Sequence, residues 1–133
     1  MQTFSKEERL CSKKVLEELI KSNSSLVLHP FKIIWSTQKG VNAKFPAQLA
    51  ISVPKRNFKK AIDRNRIKRR IREAYRKNKS PFYDFLKRKN EFCLLLYIYL
   101  PKKEISYLEG EKKIILTFHR LMEEIGKKSN DTK

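Results

Sequence analysis

The stretch Phe92-Cys93-Leu94-Leu95-Leu96-Tyr97-Ile98-Tyr99-Leu100 is nearly continuous apolar sequence nine residues long. It suits a strand buried on both faces, and Pro101 stops it. The opposite extreme lies just upstream. Thirteen lysines and arginines fall in the twenty-five residues from Lys55 to Lys79, against only Asp63 and Glu73. That segment carries +11 of the chain's +18 formal charge and leaves +7 for the rest. A solvated face mixes signs, whereas a block this one-sided repels itself unless a polyanion sits against it. Phosphodiester is the obvious polyanion.

Length and composition bound the remainder. At 133 residues, 40% of them aliphatic or aromatic, the chain is expected to fold as one domain over 1–133, with residues 1–8 and 127–133 frayed. An anionic membrane could also attract the charge. However, no apolar run approaches the roughly 18–20 residues of a spanning helix. Met1 to Leu10 lacks a signal-peptide core, so a cytoplasmic location with no membrane partner is expected. Cys11 and Cys93 belong to no metal-type or redox spacing and are expected to be reduced. His29 and His119 also stand alone, and no metal or cofactor is expected on the protein itself.

Ser12 is a plausible N-cap for a helix near 13–21, with Val15, Leu16, Leu19 and Ile20 on one face, and Ser22-Asn23-Ser24-Ser25 ends it. A strand follows near 31–37, with Phe31, Ile33 and Trp35 on one face and Lys32 and Ile34 on the other. A second strand covers 47–53 and stops at Pro54. The basic helix starts between Asn57 and Asp63 and runs to about Asn78. After the breaker Ser80-Pro81 comes a short helix near 81–88, then the apolar strand. Ser106-Tyr107-Leu108-Glu109 is a capping-box pattern. It opens a last helix in which Leu108, Ile115, Phe118, Leu121, Met122 and Ile125 can face a core. The order α-β-β-α-(α)-β-α describes an α+β fold, a single-domain α/β sandwich.

On a wheel at about 100° per residue, Ile67, Ile71 and Ala74 form one stripe with Tyr75 at its edge. Asn65, Arg69, Arg72 and Arg76 fall opposite, bordered by Arg66, while Arg64 and Lys68 sit on the flank beside Tyr75. The helix therefore packs through one stripe and presents a cationic ridge. Arginine forks suit phosphate, and Asn65 adds an amide for a base edge or a 2′-hydroxyl. A DNA-reading helix-turn-helix needs a preceding helix, but a strand ending in Pro54 stands there, so RNA is expected and DNA is not. A second surface is suggested by Phe31, Ile33 and Trp35 beside the basic strand exit at Lys55 and Arg56, a pattern that can stack single strands. The competing assignment is that this strand face is core. Core is preferred for Phe31 and Ile33, and Trp35 is left open between the two. The acids are scattered among lysines, and no convergent carboxylate or His set marks a nuclease centre.

The run Arg64-Asn65-Arg66-Ile67-Lys68-Arg69 followed by Ile71-Arg72-Glu73 resembles the RNR signature of the bacterial ribonuclease P protein subunit. The frame Leu49-Ala50-Ile51-Ser52-Val53-Pro54-Lys55-Arg56, then Phe58-Lys59-Lys60-Ala61, is similar too, as is Arg9-Leu10. The resemblance implies a left-handed βαβ crossover, which general handedness rules do not suggest. It implies that Arg64, Asn65, Arg66, Lys68, Arg69 and Arg72 contact a catalytic RNA subunit. It also implies that a cleft between the first helix and the sheet receives the 5′ leader of precursor tRNA, with Ser52, Lys55 and Arg56 at its lip and Trp35 near a common aromatic position. The RNA, with Mg²⁺ in the holoenzyme, is then the catalyst for leader removal. Leu16 and Ile20 stand where the family commonly carries cleft-lining phenylalanines, and Pro54 where many members have a small polar residue. The competing classes are a general RNA-binding module and a protein-only metal nuclease.

Overall fold

The computed structural model describes residues 4–21 and 24–131, with side chains to Lys127. The elements are a 3₁₀ turn at Lys6–Glu8, then α1 (Lys13–Ile20), β1 (Ser25–Leu28), β2 (Phe31–Lys39) and β3 (Ala47–Ser52). They continue with α2 (Ala61–Asn78), α3 (Ser80–Arg88), β4 (Glu91–Tyr99) and α4 (Tyr107–Asp131). The sheet order is β1-β2-β4-β3. β2 pairs antiparallel with both β1 and β4, whereas β3 runs parallel to β4 and reaches it through α2 and α3. The apolar run is thus a central strand, as its composition predicts.

Its two faces serve two cores. Cys93, Leu95, Tyr97 and Tyr99 join Phe31, Ile33, Trp35 and Leu49 under α2, α3 and α4. Leu96 and Ile34 turn the other way, into a smaller cluster with Leu10 and Leu19, against which Leu16, Leu94 and Ile98 pack. Tyrosines buried in a central strand need partners for their hydroxyls. Tyr97 Oη lies 2.7 Å from Thr117 Oγ1, and Tyr99 Oη donates to the carbonyl of Lys103 at 2.7 Å while accepting from the Ile105 amide. Burial pushes the Tyr97 hydroxyl well above its ordinary pKa, so it stays a neutral member of the core.

Several expectations are corrected. β1 is an additional strand in a segment whose serines predict only a helix end; four residues are too few for a periodic signal, and Ser22-Asn23 lie outside the described residues. In α4 the buried row is Ile114, Phe118, Leu121 and Ile125, with Met122 half-buried. Leu108 and Ile115 are exposed. Anchoring the helix at Ile114 swings Ile115 about 100° off the core. The Ser106 cap does form, its Oγ accepting from the Glu109 amide at 3.2 Å. The chain start is held rather than loose from Phe4 onward: Glu8 is fully buried and its Oε1 accepts from the Ser5 amide at 2.9 Å. The polar sequence after Gly126 continues as helix to Asp131, and residues 1–3 and 132–133 lie outside the described ones.

Candidate nucleic-acid interface

α2 starts without a side-chain cap at Lys60. Arg64 supplies the missing order from inside the first turn: its Nη1 donates to the carbonyls of Phe58 (2.8 Å) and Lys59 (3.0 Å). Asn57 Nδ2 donates to the Leu100 carbonyl at 3.3 Å, tying the exit of β3 to the exit of β4. Asp63 in the first turn suits the positive helix end. The stripe expected from spacing is the one buried: Ile67, Ile71, Ala74 and Tyr75.

The cationic ridge divides into two unlike flanks. On one, Arg66 Nε donates to Glu104 Oε1 at 2.9 Å and its Nη2 to Asp63 Oδ1 at 3.0 Å, while Arg70 Nη1 donates to the same Glu104. Arg76 lies in the same sector as Arg69 and Arg72 but is paired as well, its Nη2 donating to Glu73 Oε1 at 2.6 Å. Hydrogen bonding to Glu104, then its charge, holds the Arg66 guanidinium above its usual pKa; Glu73 does the same for Arg76. On the other flank lie Asn65, Lys68, Arg69 and Arg72, within a sector about 100° wide. Among the described residues, none of Lys68, Arg69 and Arg72 has a carboxylate within ion-pair distance. The same holds for Lys55, Arg56, Lys59 and Lys60 at the approach to the helix. Burial, then the charge of Arg9, draws the Arg72 pKa below its usual value.

Within the triplet Arg64-Asn65-Arg66, then, Arg64 braces backbone and Arg66 is ion-paired, while Asn65 is exposed. Glu104 is the residue that sequence reasoning missed. It lies 38 positions from Arg66, in the connection between β4 and α4, and no local pattern pairs them.

The aromatic surface requires correction. Phe31 (1% exposed), Ile33 (0%) and Trp35 (5%) face the α2–α4 layer and are core, so none can line a groove. Successive strand residues alternate faces, so the accessible side of β2 carries Lys32, Ile34, Ser36 and Gln38. A groove of about 280 Å³ runs along that side, walled by Val15, Glu18 and Leu19 of α1 and floored by Ser36, Gln38, Gln48 and Leu94. Gln48 is oriented there by donating its Nε2 to the Glu7 carbonyl at 3.2 Å. Leu16 is half-buried in the cluster beneath α1, and Ile20 is 55% exposed at its end. Ser52 pairs in register with Ile98, which packs into that same cluster. Lys55 and Arg56 are exposed in the turn just past β3. The structure therefore brings Leu16 and Ser52 to the α1 side of the sheet and sets Phe31, Ile33 and Trp35 on the opposite side. Among the described residues, no three His, Cys, Asp or Glu side chains gather where they could hold a metal ion. No helix there is long and apolar enough to cross a membrane.

Comparison with known proteins finds relatives in sequence and in fold. The ribonuclease P protein component of Petrotoga mobilis is 35% identical over 108 residues, covering 79% of this chain and 77% of that protein. The one from Porphyromonas gingivalis is 30% identical over 95 residues, covering 71% and 69%. In fold, the RNase P protein of Staphylococcus aureus superposes with a TM-score of 0.68 at 22% identity, over 88% of this chain and 99% of that one. The Thermotoga maritima RNase P protein gives 0.67 at 22% identity, over 85% and 96%. The sequence model of the ribonuclease P family matches residues 4–121, and the chain belongs to that family.

Proposed function

We propose that this chain is the protein subunit of ribonuclease P, binding the catalytic RNA subunit and the 5′ leader of precursor tRNA and assisting endonucleolytic removal of the leader. The observation that carries this reading is the free flank of α2. Arg69, Lys68 and Arg72, with Asn65 among them, form a row that has no carboxylate within ion-pair distance among the described residues, while Asp63 and Glu104 engage Arg66 and Arg70, and Glu73 engages Arg76. Such a row gains most from a ligand with regularly spaced negative charge, and its planar arginine forks favour phosphate. Lys55, Arg56, Lys59 and Lys60 continue the positive charge past the amino-terminal end of α2, at the exit of β3. On the α1 side of the sheet, toward the start of β3, the groove offers aliphatic floor and the polar groups of Ser36, Gln38 and Gln48 to an extended strand. With Phe31, Ile33 and Trp35 in the core, a leader is held there by backbone electrostatics and polar contacts.

The chemistry belongs to the RNA and its Mg²⁺. Among the described residues no three His, Cys, Asp or Glu side chains gather where they could hold Mg²⁺, and Glu8, Asp63, Glu73, Glu91 and Glu104 are each engaged by a lysine or arginine. Reconstitution tests the proposal. The purified chain, the cognate catalytic RNA and precursor tRNA together should release the leader at low Mg²⁺, and the chain alone should release nothing. Cleavage by protein without RNA refutes the division of labour. Co-purification with mixed ribosomal RNA, without one RNA of catalytic-subunit size, favours a general RNA-binding module.

A further inference from the structure

Phe4 stands just before the 3₁₀ turn, its ring set edge-on against the buried ring of Tyr75 at 5.8 Å and 87°. Two guanidiniums lie against that one ring: Arg9 Cζ is 5.7 Å from its centre and Arg72 Cζ 6.0 Å. Neither has a carboxylate within ion-pair distance among the described residues. The acid beside Arg9 in sequence is turned away, since Glu8 accepts inward from Lys79 Nζ and from Tyr83 Oη at 2.6 Å. The backbone at this point is fixed as well. Leu10 N donates to the Leu49 carbonyl at 2.9 Å, and Arg9 forms a parallel bridge with Leu49 at the sheet edge. Two like charges are thus held near each other by a rigid frame that withholds the obvious counter-ion. An aromatic ring offsets part of their repulsion, and a third group of negative charge would offset the rest.

We propose that Arg9 and Arg72, positioned by Phe4, form a binding pair for RNA backbone phosphate, which extends the interface of α2 onto the amino-terminal segment. This rests on the reading of α2 as the RNA-binding helix. The pair is preorganised: the ring and the Glu8 anchor fix both stems before ligand arrives, so little ordering accompanies binding. Phosphate is favoured over a stacked base because the ring's neighbours are Tyr75 and the two guanidiniums themselves.

The test uses the full chain and the cognate catalytic RNA, titrated across a salt series, for Arg9→Gln, Arg72→Gln and the double variant, with Lys127→Ala as control. Each single change should weaken binding about tenfold or more, as expected for a charge-assisted contact. Each should also reduce the slope of log K against log salt by about 0.7–0.9. The double variant should lose less than the product of the singles, because removing one arginine relieves the repulsion on the other. Arg9→Lys and Arg72→Lys, which preserve charge if the glutamines unfold the protein, should weaken binding several-fold with the slope unchanged, since the planar fork is lost. A second titration, of precursor against mature tRNA with the holoenzyme, locates the phosphate. Effects in the first titration place it on the catalytic RNA; effects confined to precursor tRNA place it on the leader. Wild-type affinity and slope in Arg9→Gln in both titrations, or strictly multiplicative losses, overturn the pair. Failure of the unaltered chain to bind the cognate RNA overturns the parent reading instead.

Discussion

Arg66 and Arg69 look interchangeable in the sequence, and the structure predicts that they are not. Arg69 is exposed, and among the described residues no carboxylate lies within ion-pair distance of it, so phosphate contacts made by its guanidinium replace water. Losing such a contact costs about 1.5–3 kcal/mol, or roughly 10- to 150-fold in affinity. Arg66 begins in a different state, bound to Glu104 at 2.9 Å and to Asp63 at 3.0 Å. A phosphate that recruits Arg66 must displace bonds of the same kind, so the net gain is close to an exchange. Arg66→Ala should therefore weaken binding to the catalytic RNA by less than about threefold. Its ion pairs are partly solvent-exposed, so the melting temperature should change little.

Glu104→Gln provides the sharper version. It unlocks two arginines at once, because Arg66 and Arg70 share that carboxylate. RNA binding should tighten, and the slope of log K against log salt should steepen by about 0.7–0.9 for each phosphate newly engaged. The assay is equilibrium binding of labelled catalytic RNA from low to moderate salt, with melting temperatures on the same samples. If Arg66→Ala costs as much as Arg69→Ala, or if Glu104→Gln weakens binding in a folded protein, the division of α2 into a neutralised and a free flank is wrong.

Trp35→Ala should destabilise the fold by about 3–5 kcal/mol and lower precursor and mature tRNA binding alike through loss of folded protein, as urea unfolding and both affinities on one sample would show. Glu8 is buried, which alone would raise its pKa. The hydrogen bonds from Lys79, the Ser5 amide and Tyr83 outweigh burial and hold it below the usual carboxylate value. A depressed folded pKa means that its stabilisation is complete above the ordinary Glu range and is lost as pH falls through the lowered value. Glu8→Gln should therefore flatten the acid limb of a stability–pH curve, and an unchanged limb refutes the assignment. Glu17→Ala, Glu73→Ala and His119→Ala should each leave single-turnover cleavage by the reconstituted particle within about tenfold, where a true general acid or base would cost roughly 10²–10⁴.

What the sequence revealed and what it concealed follow from the range of the forces involved. The buried stripe of α2 and the caps at Ser12 and Ser106 are local, fixed by spacing along one element, and they stand where spacing put them. The central position of β4 was legible because a strand covered on both sides has no polar face to show. The face assignment of β2 is a different problem. Phe31, Ile33 and Trp35 alternate correctly, but alternation says only that they share a side, not which side meets three helices and which meets α1 alone. That choice is made by partners far away in sequence, Phe118 and Tyr97 among them, and it removes all three residues from any groove. The same distance hides the electrostatics of α2. A net charge can be counted from composition, but Glu104 approaches Arg66 and Arg70, and Glu8 approaches Lys79, only after the chain has closed. The sequence therefore locates the cationic helix, while the fold decides which of its arginines are neutralised by acids from elsewhere in the chain.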